Sequence, residues 1–599
     1  MPLQSWPHAV VVSKGNYASE SYLESVIGGP LYSSAKSLPN LPVPDLEKTL
    51  ATLEKSMLAL ASTDSERAKV KADVSSFARE GGNKLHKRLL SRAKKSKGTS
   101  WLQEWWNTLG YLEVRDPVPV NVSYFFHFKD DTSAPTGVKR AASLLVSTAI
   151  FRRKVVSGEL EPETIGRGKT ELCGVAWKYM FNACRVPALG RDEYELHDPS
   201  MHRHVVVVRG GEFYQFDFVD EDHNPLPQGV LEARIQQVIT IADNREDMSS
   251  GIGVLTAGNR DAWANDRSNL IKLDPAVKKG FEIIQSAAVV VCMDATSPHS
   301  MMDGMPMVRY ADYLVTNAYT DTTLLAPLAS GNYGQGGVRD IFADVPIEKL
   351  KLNEDVVRTV GRGTEEFNKL VGEQELTATV FRGFGAKDIK SAKMSPDAFV
   401  QCVIQVATTR LFGKSVGTYE ASQVRVFTHG RTETTRSCSL ETVELCQAMG
   451  SRDDGGWMRG DEGARRMGLL RKAAEGHVGY LKKAAKGEGV DRHMFGLKML
   501  LKSRERVPAL FNNPLFAASK NWRVSTSHLT HPSFDNWGWG EVVPDGVGIA
   551  YSIHKDRCVF NVTARRETGY SRRCAQLIED ALVEVWGMIM RERQGGSKL

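Results

Sequence analysis

Val524-Ser525-Thr526-Ser527 reads as a β-strand whose alternate hydroxyls, Ser525 and Ser527, point to one side. Hydroxyls so placed can serve a developing oxyanion. Val547 to Ile553 and Val559 to Val562 read as further strands, and Ser571 to Met590 as a closing helix. Upstream, residues 346–376, Pro396 to Leu411, Ser439 to Met449 and Glu462 to Lys486 carry helical patterns.

The first half repeats the alternation. Val118 to Phe126, His204 to Val208 and Phe213 to Phe218 read as strands, with Gly210-Gly211 as a hairpin signal. Leu270 to Val291 runs from a helix into the apolar strand Ala287 to Val291. Trp101 to Tyr111 is an aromatic helix start, and Asp45 can cap a helix carrying Leu46, Leu50, Leu53, Met57, Leu58 and Leu60. Strands and helices therefore alternate through both halves, which places the chain in the α/β (α+β) class.

Composition sets outer limits. At 599 residues the chain is long for one core, so two domains are expected. A hydrophobic share of 42% and a charged share of 25% are those of an ordinary soluble globular protein. The net charge of +6 suits an anionic ligand as well as nucleic acid. The eight cysteines are scattered without a C-x-x-C pair, which argues against structural zinc and a disulfide framework. No apolar run approaches ~18 residues, so no integral membrane segment is expected. Met1 to Glu20 has no signal-peptide pattern. Lys84 to Lys97 is basic but lacks interleaved aromatics, so a solvated helix face is expected rather than a nucleic-acid surface. The chain ends Ser597-Lys598-Leu599, a receptor-read peroxisomal address, behind the flexible pair Gly595-Gly596.

Four stretches carry chemistry. In Ser297-Pro298-His299-Ser300-Met301-Met302-Asp303, a helical turn would put Asp303 on the face of His299, where a carboxylate can orient an imidazole as general base. Phe384 to Asp397 sets Lys387, Lys390 and Lys393 ahead of a helix opened by Ser395-Pro396, a phosphate-binding arrangement. Thr418-Tyr419-Glu420-Ala421-Ser422, with Gly430-Arg431-Thr432-Glu433-Thr434-Thr435-Arg436, offers a phenol, hydroxyls and guanidinium groups for a carboxylate. Beyond Ser525 and Ser527, Trp537-Gly538-Trp539 offers an indole that can face a ligand cation. Taken singly, each is an ordinary structural feature.

Taken in order, they resemble the choline/carnitine O-acyltransferase family, and most nearly its short-chain, fungal-type carnitine acetyltransferases. Further matching motifs are Leu38-Pro39, Pro44-Asp45-Leu46, Trp101-Leu102-Gln103-Glu104-Trp105-Trp106, Val120-Asn121, Gly168-Lys169, Leu172-Cys173, Leu255-Thr256, Asn259-Arg260, Trp263-Ala264 and Pro544-Asp545-Gly546. The resemblance covers nearly the whole chain. It implies two similar domains of mixed sheet flanked by helices, of the coenzyme A-dependent acyltransferase type, with an active-site tunnel between them. The expected division is a leader over 1–37, an N-terminal helical arm over 38–100 packing with the second domain, a first domain over 101–350 and a second over 351–599.

The resemblance also implies roles. His299 matches the catalytic base and Asp303 the acid that orients it. Lys390 and the segment to Asp397, with Lys387, Lys393 and Ser395, match the part of the coenzyme A site that meets the 3′-phosphate. Tyr419, Thr432 and Arg492 match the holders of the carnitine carboxylate, and Thr434 belongs with them. Ser525 and Ser527 match the Ser-Thr-Ser motif, whose second serine helps the tetrahedral intermediate. Trp539 matches the aromatic under the trimethylammonium group. Trp537 falls where long-chain members keep a glycine, which argues for acetyl or propionyl groups. The implied reaction is reversible acetyl transfer between coenzyme A and carnitine. Coenzyme A is a co-substrate, and no permanently bound cofactor or metal is expected. The implied partners are these small molecules and a peroxisomal import receptor; a monomer is expected, in the peroxisome, with cytoplasm or mitochondrion as further locations.

The chain departs from the pattern at several points. The family's first phosphate lysine aligns with Ala386, its coenzyme-side serine with Ala421, and its glutamine after Ser-Thr-Ser with His528. A few dozen residues, including a strand, are missing between Val289-Val290-Val291 and His299, and the glutamate before the histidine is Pro298. A catalytically impaired relative that binds acyl-CoA is therefore the alternative reading.

Overall fold

The computed structural model describes residues 37–96, 98–121, 123–166, 170–245, 249–293, 307–314, 337–450 and 460–596. His299, Asp303, Gly168-Lys169, the leader to residue 36 and Ser597-Lys598-Leu599 lie outside the described residues.

The fold is mixed α/β. Its larger sheet has six strands, in the spatial order Gln374–Phe381, Cys558–Arg565, Val547–Ile553, Val524–His528, Thr418–Gln423 and Thr432–Thr435. The Val524–His528 strand runs parallel to both its neighbours, and the other pairs are antiparallel. One face is buried beneath the helices Pro396–Phe412, Gly460–Ala485 and Tyr570–Gly596. Val403, Ile404, Leu470, Ile549, Phe560, Ile578 and Leu582 form that core, all fully excluded from solvent. Each such side chain contributes ~1.5–3 kcal/mol by leaving water.

The smaller sheet pairs Val290–Cys292, His204–Arg209, Glu212–Asp217 and Arg339–Asp340 in that order. Its central hairpin turns on Gly210 and Gly211, at φ 60° and 80°. Both values are left-handed, where a β-carbon is costly, so the tight turn depends on the glycine pair. Helices Gly137–Val156 and Gln228–Asp243 bury one side with Leu145, Tyr214 and Ile235. Trp263, Val277 and Phe281, from Arg260–Leu273 and Pro275–Ser286, bury the other around Val206.

Helices Leu46–Leu58, Asp64–Phe77 and Asn83–Lys95 share a core with Val424, Val490, Met494, Leu497 and Phe511. Asp45 caps the first of them by accepting the Lys48 N–H at 2.9 Å. The basic run does not all face water: Lys84 and Arg88 pair with Glu505 at 2.8 and 2.6 Å, and Arg92 lies over Trp105. Among the described residues, no helix is long and apolar enough to cross a membrane.

Two expected elements differ. Residues 346–376 contain a shorter helix, Glu354–Gly372, opened where the Asn353 side chain accepts the Asp355 and Val356 N–H groups. The chain then becomes the strand Gln374–Phe381, whose Leu376, Ala378 and Val380 alternate with Thr377, Thr379 and Phe381. The longer helical pattern before it masks this period of two in the sequence, but the segment pairs as a strand with Cys558–Arg565. Val118 to Phe126 is likewise not one strand. Val118–Asn121 is a helical turn, where Pro119 has no N–H to give a ladder, and the strand is Phe125–Phe128.

Candidate functional site

The candidate site is built on the face of the larger sheet opposite those helices, the open face, which the tryptophan segment only partly covers. Along Thr418–Gln423, Thr418, Glu420 and Ser422 are buried under the helices, whereas Tyr419 and Gln423 are half-exposed and Ala421 is exposed. Register carries this face across the neighbours. Tyr419 lies opposite Ser525, Ala421 opposite Thr434, and Gln423 opposite Thr432. Directly paired residues share a face, so Tyr419, Thr432, Thr434, Ser525 and Ser527 all stand on this side, Thr434 and Ser525 buried and the other three half-exposed.

Arg492 joins them from outside the sheet. It is the second residue of the helix Asp491–Met499. Its Nε donates to the Thr432 carbonyl at 2.8 Å, and one terminal nitrogen donates to Thr432 Oγ1 at 3.2 Å. The guanidinium lies 3.9 Å from the Trp106 ring centroid. These contacts hold its plane in one orientation. Thr434 Oγ1 is fully buried and has no hydrogen-bond partner. A buried hydroxyl left unpaired costs about 1–3 kcal/mol, which a ligand acceptor would recover.

The tryptophan segment crosses this same face. Ser525 continues across the sheet through Gly548 to Thr563, and Ser527 through Ala550 to Asn561. Thr563 Oγ1 donates to the Trp539 carbonyl at 2.7 Å, and Asn561 Nδ2 donates to the Trp537 carbonyl at 2.7 Å. Gly548 permits this approach: a β-carbon there would lie 2.9 Å from the Gly540 carbonyl oxygen. Trp537 therefore lies along the row of Ser527 and Trp539 along the row of Ser525. The two indoles stand 5.1 Å apart, and Phe126 stacks on Trp537 from the Phe125–Phe128 strand. Trp537 is buried and its Nε1 donates to the Tyr551 carbonyl at 3.4 Å. Trp539 is half-exposed.

The lysine segment follows Gln374–Phe381, an edge strand of the larger sheet. Lys387 and Lys390 are exposed on the short helix Ala386–Ser391, and Lys393 is exposed at φ 59° just after it. Ser395 caps the Pro396–Phe412 helix. Asp397 is turned inward instead: it accepts the Tyr551 hydroxyl at 2.7 Å and lies 3.5 Å from His528 Nδ1.

Behind the open face the sequence reading missed a polar network. His477 Nε2 lies 2.6 Å from Glu420 Oε2, which also accepts from Ser437 Oγ. Burial pushes the Glu420 carboxyl up, against the pull of His477. Burial opposes the charge on His477, and Glu420 outweighs it, so the imidazole stands above its usual value. Gln401 Nε2 bridges Tyr551 Oη and Thr526 Oγ1, and Thr526 Oγ1 donates to the Tyr419 carbonyl. Asp397, Glu420 and His477 offer three ligand atoms within 4.8 Å of one another, a spacing that could hold a metal ion. Those donors already hydrogen-bond one another or Tyr551. His477 lies 57 residues from Glu420, and no local spacing announces the pair.

The sequence matches the family model for choline/carnitine O-acyltransferase over residues 41–298 and 296–580, two stretches that meet just ahead of His299. A carnitine O-acetyltransferase of Columba livia is 28% identical, covering 94% of this chain and 95% of its own length. The mitochondrial carnitine O-acetyltransferase of Saccharomyces cerevisiae is 27% identical, with 95% and 90% covered. A peroxisomal carnitine O-octanoyltransferase of Bos taurus is 29% identical, with 88% and 92% covered.

Proposed function

The chain belongs to the choline/carnitine O-acyltransferase family, and we propose that within it the protein moves acetyl groups reversibly between coenzyme A and carnitine. The observation that carries this reading is the open sheet face. A fixed guanidinium, Arg492, stands beside Thr432, with the unpartnered Thr434 hydroxyl on the same face. Choline has no carboxylate to meet such a group, and carnitine has one. Tyr419 completes the carboxylate site, and Trp539 faces the trimethylammonium group.

The chemistry needs one proton moved each way. His299, oriented by Asp303, takes the proton of the carnitine hydroxyl, and the oxygen attacks the thioester carbonyl. Ser527 donates to the tetrahedral oxyanion, a contact worth up to ~3 kcal/mol where well aligned. The C–S bond then breaks, and the imidazolium returns its proton to the coenzyme A sulfur. Coenzyme A is a co-substrate, with its 3′-phosphate met by Lys387, Lys390 and Lys393 beside Ser395 and Asp397. No permanently bound cofactor or metal enters the scheme. Ala421, exposed where the family has a serine, weakens the coenzyme A contacts without removing them.

Acyl length tests the assignment. Trp537 shares the row of Ser527, so it stands beside the acyl carbon in this scheme. Each buried CH₂ contributes ~0.8 kcal/mol, and an indole plug forfeits that gain and adds overlap. The experiment is kcat/KM with carnitine for acetyl-CoA and octanoyl-CoA, in the wild type and in Trp537→Gly. The wild type should favour acetyl-CoA, and the substitution should raise the octanoyl-to-acetyl ratio at least tenfold, by roughly 1.4 kcal/mol or more. A wild type preferring octanoyl-CoA, or an unmoved ratio, would refute the plug.

A second reading, an acyl-CoA-binding relative without turnover, is favoured by the meeting of the two matched stretches at 296–298. Acyl-CoA binding with no acetyl transfer in that assay would select it.

The tail Ser597-Lys598-Leu599 makes the peroxisome the proposed location, through its import receptor. A fluorescent protein fused ahead of this chain should collect in peroxisomes. Deleting the three residues should leave it in the cytosol, and an unchanged pattern would show the tail to be coincidental.

A further inference from the structure

Between Thr432 and Thr434 the chain places an acid that the scheme above leaves unused. Glu433 points away from the open face and is only 2% exposed. Its Oε1 accepts the Thr434 N–H at 2.7 Å, and both its oxygens lie 3.4 Å from the Arg492 N–H, which donates to them. Gly489 closes over it, since a β-carbon there would lie 2.3 Å from Glu433 Cγ. One carboxylate thus ties the strand of the two threonines to the helix of Arg492.

Resting on the reading of Arg492, Thr432 and Thr434 as the carboxylate site, we propose that Glu433 is its positioning residue, and that binding of the substrate carboxylate is linked to protonation of Glu433. The charge opposing the burial of Glu433 is that of Arg492. While Glu433 is ionised, Arg492 answers two carboxylates once substrate arrives. When Glu433 is protonated, the guanidinium is left to the substrate alone. In a low-dielectric interior this competition is felt through the thickness of one strand.

The other groups facing Glu433 do not share the role. Asp491 and Arg436 form a bidentate pair with both bonds at 2.9 Å. The Tyr480 hydroxyl is pushed far up by burial and keeps its proton. His493, beside Glu433 in a small cavity, is pushed down to about 3 by burial and stays neutral. Burial pushes Glu433 up to about 7, so both of its forms are present near neutral pH. A bound carboxylate raises it further, so binding takes up a proton and weakens as pH rises through this range.

The test is calorimetric titration of L-carnitine into the full-length protein at about pH 6.5 and about pH 8, in two buffers of different ionisation enthalpy. Wild-type Kd should rise roughly three- to tenfold over this interval, with net proton uptake on binding. Glu433→Gln keeps the acceptor for the N–H groups and should bind at least as tightly as the wild type at the lower pH, with a flat profile. Glu433→Ala removes the acceptor and should bind more weakly at both. Choline, titrated in parallel, should show no slope. A wild-type slope retained by Glu433→Gln, the same slope for choline, or no proton uptake by the wild type would overturn the linkage. Absence of carnitine binding to the wild type would overturn the carboxylate reading itself, and the inference with it.

Discussion

Replacing His299 by alanine should lower kcat for acetyl transfer by roughly 10³-fold while leaving KM for acetyl-CoA and carnitine within a few-fold of wild type. An aliphatic hydroxyl holds its proton far above neutral pH, so the attacking oxygen is scarce without a base. Removing a general base costs typically 10²–10⁴-fold, and in the proposed scheme the same imidazole also protonates the leaving sulfur. The groups proposed to bind substrate are other residues: Lys387, Lys390 and Lys393 for coenzyme A, and Arg492 with Thr432 and Thr434 for the carnitine carboxylate. Coenzyme A affinity, measured by titration, should therefore be unchanged. The loss should appear in both directions of the reaction, because one residue serves both. Undiminished turnover in His299→Ala would remove the acyltransfer scheme from this histidine.

Much of the frame was legible because its signals are local. Asp45 before an amphipathic run gave the first helix, Gly210-Gly211 gave a hairpin, and Ser439 to Met449 gave a helix, which the structure opens on a Ser439 cap. The strand Gln374–Phe381 was hidden because Leu376 and Val380 are exposed on an edge strand, so alternation did not separate inside from outside. The proposed carboxylate site is only half legible. Thr432 and Thr434 lie two apart, and period-two geometry puts them on one face. Arg492 lies 60 residues away from Thr432, and only family resemblance connected them. Nothing local marks Glu433, because an acid between two threonines on a strand fits a solvent-facing position equally well. Its burial is decided by Gly489 and the helix start behind the strand, which no local pattern records.

Arg492→Ala should raise KM for carnitine roughly 100-fold, leave KM for acetyl-CoA within about twofold, and leave choline turnover unchanged or improved. A charged hydrogen bond to a carboxylate is worth about 1.5–3 kcal/mol, and a guanidinium meeting it in a desolvated site lies toward the upper end. About 3 kcal/mol corresponds to slightly more than a hundredfold in affinity. Part of the effect is preorganisation. The guanidinium is already fixed by Thr432 Oγ1, the Thr432 carbonyl and the Trp106 ring, so little side-chain entropy is lost when substrate arrives. Lysine cannot reproduce that geometry, because a point charge neither stacks flat on the indole nor bridges the two Thr432 acceptors. Arg492→Lys should therefore recover only a small part of the loss, even though the charge is restored. The two acceptors separate a local defect from a general one. Disruption of the Asp491–Met499 helix would depress carnitine and choline turnover together. Loss of the carboxylate contact alone depresses only carnitine. A carnitine KM that stays within threefold of wild type in Arg492→Ala would show that the substrate carboxylate is held elsewhere, and the open sheet face would then lose its assignment.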